Sequence, residues 1–98
     1  MVLLDTRSRL IKVSQISVGS LDSSIVHPRE ALKEAISASA ASVILAHNHP
    51  SGDDSPSEDD IILTKRLADA GELMGIEVLD HIIITDNGYL SLKREGLF

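Results

Sequence analysis

Ser42-Val43-Ile44-Leu45-Ala46-His47-Asn48-His49-Pro50 is the stretch on which the fold turns. Residues 42–46 form a short, β-branched apolar run of the kind that makes a buried strand. The run leads straight into side chains that bind protons and metals. Sites in open α/β sheets lie at the C-terminal ends of strands, so this strand is expected to present His47 and His49 at a functional edge. The following eight residues, Pro50-Ser51-Gly52-Asp53-Asp54-Ser55-Pro56-Ser57, hold two prolines and a glycine and read as a loop. A long amphipathic helix is expected from about Pro56, with Ile61, Ile62, Leu67, Ala68 and Leu73 on its apolar face and Gly71 and Gly75 weakening and ending it.

Outward from this centre the remaining elements follow. Upstream, Pro28 suits the first position of a helix, where its missing N–H costs nothing. Ala31, Leu32, Ala35 and Ile36 recur at one-turn spacing, so a helix is expected over 28–39. Val2-Leu3-Leu4 and residues 10–18 read as two strands joined by a tight turn, and the small, polar residues 19–24 as a loop. Downstream, residues 77–85 read as a second buried strand, Asp86-Asn87-Gly88 as a hairpin turn and residues 89–92 as the partner strand. The order β-β-α-β-α-β-β predicts an α/β (α+β) fold, a mixed β-sheet with flanking helices. With 98 residues the chain is expected to be one domain, because two halves would each be too short to bury a core.

Composition narrows the function classes. The net charge of −6 opposes phosphate backbones, so direct nucleic-acid binding is not expected. One Phe, one Tyr and no Trp leave almost no stacking platform for bases, which further demotes single-strand binding. Absence of cysteine removes disulfides, thiolate ligands and cysteine nucleophiles together, so a metal would be held by His, Asp or Glu. No apolar run approaches the roughly 18 residues of a membrane helix and no signal-peptide pattern stands at the N-terminus, so the chain is expected to be cytoplasmic. The apolar strand at Val2, at the start of the chain, is expected to leave a sheet edge able to pair with another copy.

His47 and His49 are two residues apart, so on extended backbone both imidazoles face the same side. Asp60 follows after ten intervening residues, in the first turn of the next helix. A loop of that length can fold the helix start over the strand end, giving two nitrogens and a carboxylate oxygen. Three protein ligands with one open position is the pattern of a catalytic zinc site, where an activated water attacks an amide carbonyl. Spacing alone leaves Asp60 open between ligand and helix cap. Ser57-Glu58-Asp59-Asp60 fits a capping box, Ser55-Pro56-Ser57-Glu58 fits one equally, and acidic side chains favour a helix N-terminus in any case. The acidic cluster Asp53, Asp54, Glu58, Asp59 and Asp60 does not fit a calcium loop, since Pro56 falls inside it. The letters His-Asn-His match the HNH nucleases in spelling only, as that motif is spread over a ββα unit. Asp80 beside His81 suggests a carboxylate holding a histidine tautomer, against a plain structural histidine near the sheet. His27 reads as a helix-entry residue.

His47-x-His49, ten residues and Asp60, with Ser57 three before the aspartate, resembles the JAMM (MPN+) metalloprotease motif. The longer string His47-Asn48-His49-Pro50-Ser51-Gly52, then Pro56-Ser57 and Asp60, resembles the RadC branch of that superfamily. So do Leu4-Asp5-Thr6, Gly19-Ser20-Leu21, Val26-His27-Pro28-Arg29-Glu30 and Asp80-His81-Ile82-Ile83, in order across nearly the whole chain. The resemblance implies a JAMM/MPN-like, cytidine-deaminase-like three-layer sandwich over residues 1–98. It further implies one zinc ion on His47, His49 and Asp60, with Ser57 donating to the oxyanion of a scissile amide or isopeptide bond in a peptide or protein substrate. It implies also a general-base Glu a few residues ahead of Leu4-Asp5-Thr6, and no Glu stands there in this chain. The domain is therefore expected to lack an upstream segment and to be silent by itself. Glu30 and Glu34 fall on the helix, as solvated or capping charges. The alternative is a metal-binding, non-catalytic interaction module near DNA-repair or recombination machinery, for which the family is named.

Overall fold

A computed structural model describes residues 1–16, 27–49 and 55–98. The element order is β1 (Val2–Leu4), β2 (Leu10–Val13), α1 (Pro28–Ser37), β3 (Ser42–Asn48), α2 (Glu58–Leu73), β4 (Glu77–Thr85) and β5 (Gly88–Ser91). This is the order read from the sequence. The expected loop over 19–24, Val26 and the motif residues Pro50-Ser51-Gly52 lie outside the described residues.

The strands form one mixed sheet in the order β2-β1-β3-β4-β5, with β3 and β4 parallel and the other pairs antiparallel. β1 is thus an interior strand, which corrects the expectation of an open edge at Val2. The chain turns back on itself and β2 takes that edge, with Val2 opposite Val13. Its turn is tied by Asp5, whose Oδ1 accepts the amide N–H groups of Arg7 and Arg9 at 2.8 and 3.0 Å. β2 also ends at Val13, short of the expected run along 10–18, of which residues 17 and 18 lie outside the described residues. Its partner among the described residues, β1, is three residues long, and past Val13 the pairing closes with Ser14, whose N–H donates to the Met1 carbonyl at 2.8 Å and whose carbonyl accepts from the Met1 amino group at 2.7 Å.

β3 and β4 are parallel because a helix connects them, as a crossover requires. Leu3, Val43, Leu45 and Val78 project from one face of the sheet into a core shared with Ala31 and Ala35 of α1 and Leu67 of α2. α1 ends at Ser37, two residues before the expected position, because Ser39 takes a left-handed φ of 55° and the Ala40 N–H returns to the Ala35 carbonyl. On the opposite face Ile84 and Tyr89 are exposed, and no helix among the described residues covers them. The helix layer and sheet are therefore the layers present among the described residues.

α2 buries part of the face read in the sequence, Leu67 with Ala68 packed against the core, and adds two polar residues to it. Its buried residues are Asp60, Thr64, Leu67 and Gly71, whereas Leu73 is 88% exposed and Ile62 47% exposed. Gly71 lies inside the helix, where it lets the helix sit on the chain that follows, since a Cβ there would lie 2.4 Å from the Ile76 carbonyl oxygen. The helix closes with Gly75 at φ 73° and the Ile76 N–H bonded to the Gly71 carbonyl at 2.8 Å. No helix among the described residues is long and apolar enough to cross a membrane.

Candidate metal centre

β3 continues past the apolar run through His47 and Asn48, so His47 is a strand residue and His49 the first residue beyond it. Val43, Leu45 and His47 alternate on the face that carries the core. The same alternation that packs Leu45 under the helices thus delivers the His47 ring to the gap between β3 and the start of α2. His49 stays in register through its amide N–H, which donates to the Ile84 carbonyl at 3.0 Å.

Asp60 arrives from the other side by helix capping. Ser57 is the N-cap, its Oγ accepting the Asp60 N–H at 3.0 Å, while the Asp60 Oδ2 accepts the Ser57 N–H at 3.0 Å. Of the two capping boxes open in the sequence, the one at Ser57 forms, and the helix begins at Glu58 rather than Pro56. Cap and ligand geometry coexist in Asp60, because a carboxylate has acceptor capacity for an amide and for a cation together. The residue is 4% exposed.

The structure brings His47, His49 and Asp60 together, with one ligand atom of each within 4.8 Å of the others. The Nε2 atoms of the two histidines stand 2.8 Å apart. His47 Nε2 is 3.5 Å from Asp60 Oδ1, and His49 Nε2 is 3.4 Å from Asp60 Oδ2. Donors about 2.0–2.2 Å from a tetrahedral zinc lie roughly 3.3–3.5 Å from one another. Each histidine nitrogen lies at such a distance from one Asp60 oxygen, His47 from Oδ1 and His49 from Oδ2, and the nitrogen–nitrogen edge needs to open by about half an ångström. Two imidazoles and one carboxylate are also a donor set zinc takes readily. The residues fit the ion, and no further Asp or Glu joins the group among the described residues.

Electrostatics keep these donors in binding form. Burial lowers the His47 pKa below its ordinary 6.5, against the attraction of Asp60, with His49 lowering it further. For Asp60, burial pulls the carboxyl upward, but hydrogen bonds from the Ser57 backbone and side chain, then His47 and His81, outweigh it and hold it below 3.8.

Ser57 sits beside this group as the cap, with Oγ used as an acceptor, so the cap and a donor role do not exclude each other. His81 is nearer the site than the sequence indicated. It is 3% exposed in mid-β4, its Nε2 2.8 Å from His47 Nδ1 and its Nδ1 2.6 Å from Thr64 Oγ1. Burial, reinforced by His47, lowers its pKa from 6.5 to about 4. Asp80 does not hold the His81 ring, which corrects the expected pairing. Adjacent strand residues face opposite sides, and the Asp80 carboxylate instead accepts from the His81 N–H at 2.7 Å, Ser91 Oγ at 2.5 Å and the Lys93 N–H at 3.1 Å. Thr64 was missed entirely, although one turn after Asp60 on the same face it was findable as a polar residue at a core position. His27 and Glu30 flank the start of α1, with no part in the group, and Glu34 pairs with Lys12 at 3.4 Å.

Residues 1–97 match the family model described as RadC-like JAB domain. Among similar proteins, the UPF0758 protein of Desulforamulus reducens is 60% identical over 96 residues, covering 98% of this chain and 42% of its own length. That of Desulforudis audaxviator is 61% identical over 97 residues, at 99% and 42% coverage. That of Methanosarcina mazei is 57% identical over 93 residues, at 95% and 41% coverage. The chain spans about two fifths of the length of these relatives.

Proposed function

We propose that this chain, which belongs to the RadC-like JAB domain family, is the metal-bearing part of a zinc-dependent hydrolase that cleaves amide or isopeptide bonds. The observation that carries the reading is the convergence of His47 Nε2, His49 Nε2 and the Asp60 carboxylate on one point, from a strand end and a helix start. His47, His49 and Asp60 would hold the ion. When bound, zinc supplies a Lewis acid that polarises a carbonyl and acidifies water toward a pKa of about 7. Asp60 carries the one negative charge of the set, and the Ser57 amide N–H shares it and fixes which oxygen faces each histidine. Ser57, at the helix N-terminus, stands where its hydroxyl and the positive end of the helix dipole favour a developing oxyanion. The substrate class is a peptide or protein, and the cysteine-free chain works in the cytoplasm. The net charge of −6 opposes non-specific contact with DNA.

A second reading, a metal-binding but non-catalytic module serving DNA-repair or recombination machinery, is favoured by one observation. No second carboxylate joins the group to move the proton of an attacking water, among the described residues. Glu34 faces Lys12 and Glu30 faces Arg29 instead. The test is a panel of quenched peptides and isopeptides, offered with zinc to this chain and to the longer Desulforamulus reducens relative. Zinc-dependent cleavage by either, lost in His49→Ala of this chain or in the matching change of the relative, supports the hydrolase. Silence of both proteins across the panel, with zinc bound, supports the module.

A further inference from the structure

Behind His47 lies a chain of buried hydrogen bonds whose direction is determined by counting protons. Thr64 is 0% exposed and its hydroxyl has one hydrogen. That hydroxyl is 2.7 Å from the Asp60 backbone carbonyl, which can only accept, and 2.6 Å from His81 Nδ1. If the hydrogen went to His81, two bare oxygens would face each other at 2.7 Å in a dry interior. The arrangement that satisfies both contacts sends the hydrogen to the carbonyl and leaves the Thr64 oxygen to accept from His81 Nδ1–H. An uncharged His81 then has a lone pair on Nε2, which accepts from His47 Nδ1–H across 2.8 Å. His47 is left with its lone pair on Nε2, the atom that faces His49 and Asp60.

We propose that Thr64 and His81 are positioning residues that fix the tautomer of His47 and so aim its Nε2 lone pair into the metal centre. The inference rests on the metal-centre reading for its purpose, but not for its geometry. Metal-bound histidines ordinarily donate their other ring N–H to a carboxylate, carbonyl or water. Here the acceptor is a second imidazole, and its orientation is set by a threonine anchored to the carbonyl of Asp60, itself a member of the group. One turn of α2 therefore provides a candidate ligand and, through Thr64, the tautomer of another.

The experiment is two-bond proton–nitrogen correlation NMR on the ¹⁵N-histidine-labelled, chelator-stripped chain. It is followed by zinc titration against a chromogenic chelator for wild type, Thr64→Val and Thr64→Ser. The expected spectrum shows His47 and His81 both protonated at Nδ1 in the absence of metal. Thr64→Val should give mixed tautomers at His81 and His47 and a zinc affinity lower by roughly 10- to 100-fold, and Thr64→Ser should restore both. A merely structural threonine would lower the melting temperature while leaving the tautomers unchanged. Nε2 protonation of His47 or His81 in the wild type overturns the proposal, and should Thr64→Val not fold, that spectrum alone decides. So do unchanged tautomers and affinity in a folded Thr64→Val. Correct tautomers in a protein that binds no zinc would sink the metal-centre reading and leave the relay standing, whereas bound zinc with Nε2-protonated His47 before loading would do the reverse.

Discussion

Ser57→Ala separates the two roles that meet at the start of α2. The substitution removes the oxygen that accepts the Asp60 N–H at 3.0 Å and leaves the Ser57 N–H to Asp60 Oδ2 bond in place. Loss of a serine N-cap costs about 1 kcal/mol, within a range of roughly 0.5–2. In a domain of this size that lowers the melting midpoint by about 4–8 °C. The Asp60 carboxylate keeps its backbone donor, so zinc affinity should fall by less than about tenfold. If the hydroxyl also donates to an oxyanion, turnover should drop by roughly 10² to 10³, read in whichever of this chain or its longer relative cleaves the peptide panel. Ser57→Asp completes the design, because aspartate caps as well as serine but cannot donate when ionised. It should recover the melting temperature and not the rate. The assay is thermal unfolding by circular dichroism, beside chelator competition and peptide turnover. Full turnover in a destabilised Ser57→Ala protein would refute the oxyanion role, and an unchanged melting temperature would refute the cap.

Three further outcomes follow from the same geometry. His81 has a folded pKa of about 4 against an ordinary 6.5, so the unfolded chain takes up the proton first as pH falls. Stability is complete above pH 6.5 and declines between 6.5 and 4, by up to about 3 kcal/mol in the metal-free chain at about 1.36 kcal/mol per unit. Chemical denaturation across that window would measure it, with His81→Phe flattening the profile, and a flat wild-type profile would contradict the burial argument. Gly71→Ala places a methyl 2.4 Å from the Ile76 carbonyl, so it should cost about 1–3 kcal/mol by overpacking while zinc stoichiometry stays at the wild-type value. Asp80→Ala removes the acceptor of three hydrogen bonds on the far face of β4 and should cost about 2 kcal/mol with zinc affinity unchanged; loss of zinc would mean that Asp80 acts on His81 after all.

The order of elements was legible because each is short and marked by local chemistry: Pro28 at a helix start, a β-branched run before His47, Ser57 three residues before Asp60. The alternation that puts His47 and His49 on one side is equally local, whereas Asp60, on another element, stayed open between ligand and cap until α2 was seen to pack its first turn against the end of β3. What escaped was set by packing between distant segments. The apolar pattern of α2 pointed to Ile61, Ile62, Leu67, Ala68 and Leu73; Leu67 and Ala68 do pack on the core, but Asp60 and Thr64 also turn inward to meet β3 and β4 and leave Ile62 and Leu73 exposed, since polar residues buried for a site shift a hydrophobic periodicity. Gly71 looked like a helix breaker, since nothing nearby in sequence announces that the Ile76 carbonyl will press on it. β2 was overextended because a strand's length depends on the partner it pairs with, which sequence does not show, and β1 has three residues. The pairing of Asp80 with the His81 ring could have been rejected from the sequence, for neighbours on a strand point to opposite faces.

The central claim is that His47, His49 and Asp60 form one metal centre. Its most direct test is zinc content by mass spectrometry after loading and exhaustive desalting at neutral pH, on the wild type and on His47→Ala, His49→Ala and Asp60→Ala, each checked for folding by circular dichroism. The account predicts about one zinc per wild-type chain, as one three-ligand site requires, and a small fraction of that in each folded variant. Acidification should release the wild-type zinc as the imidazoles protonate. Equal zinc in all four proteins, or none in the wild type, would contradict it.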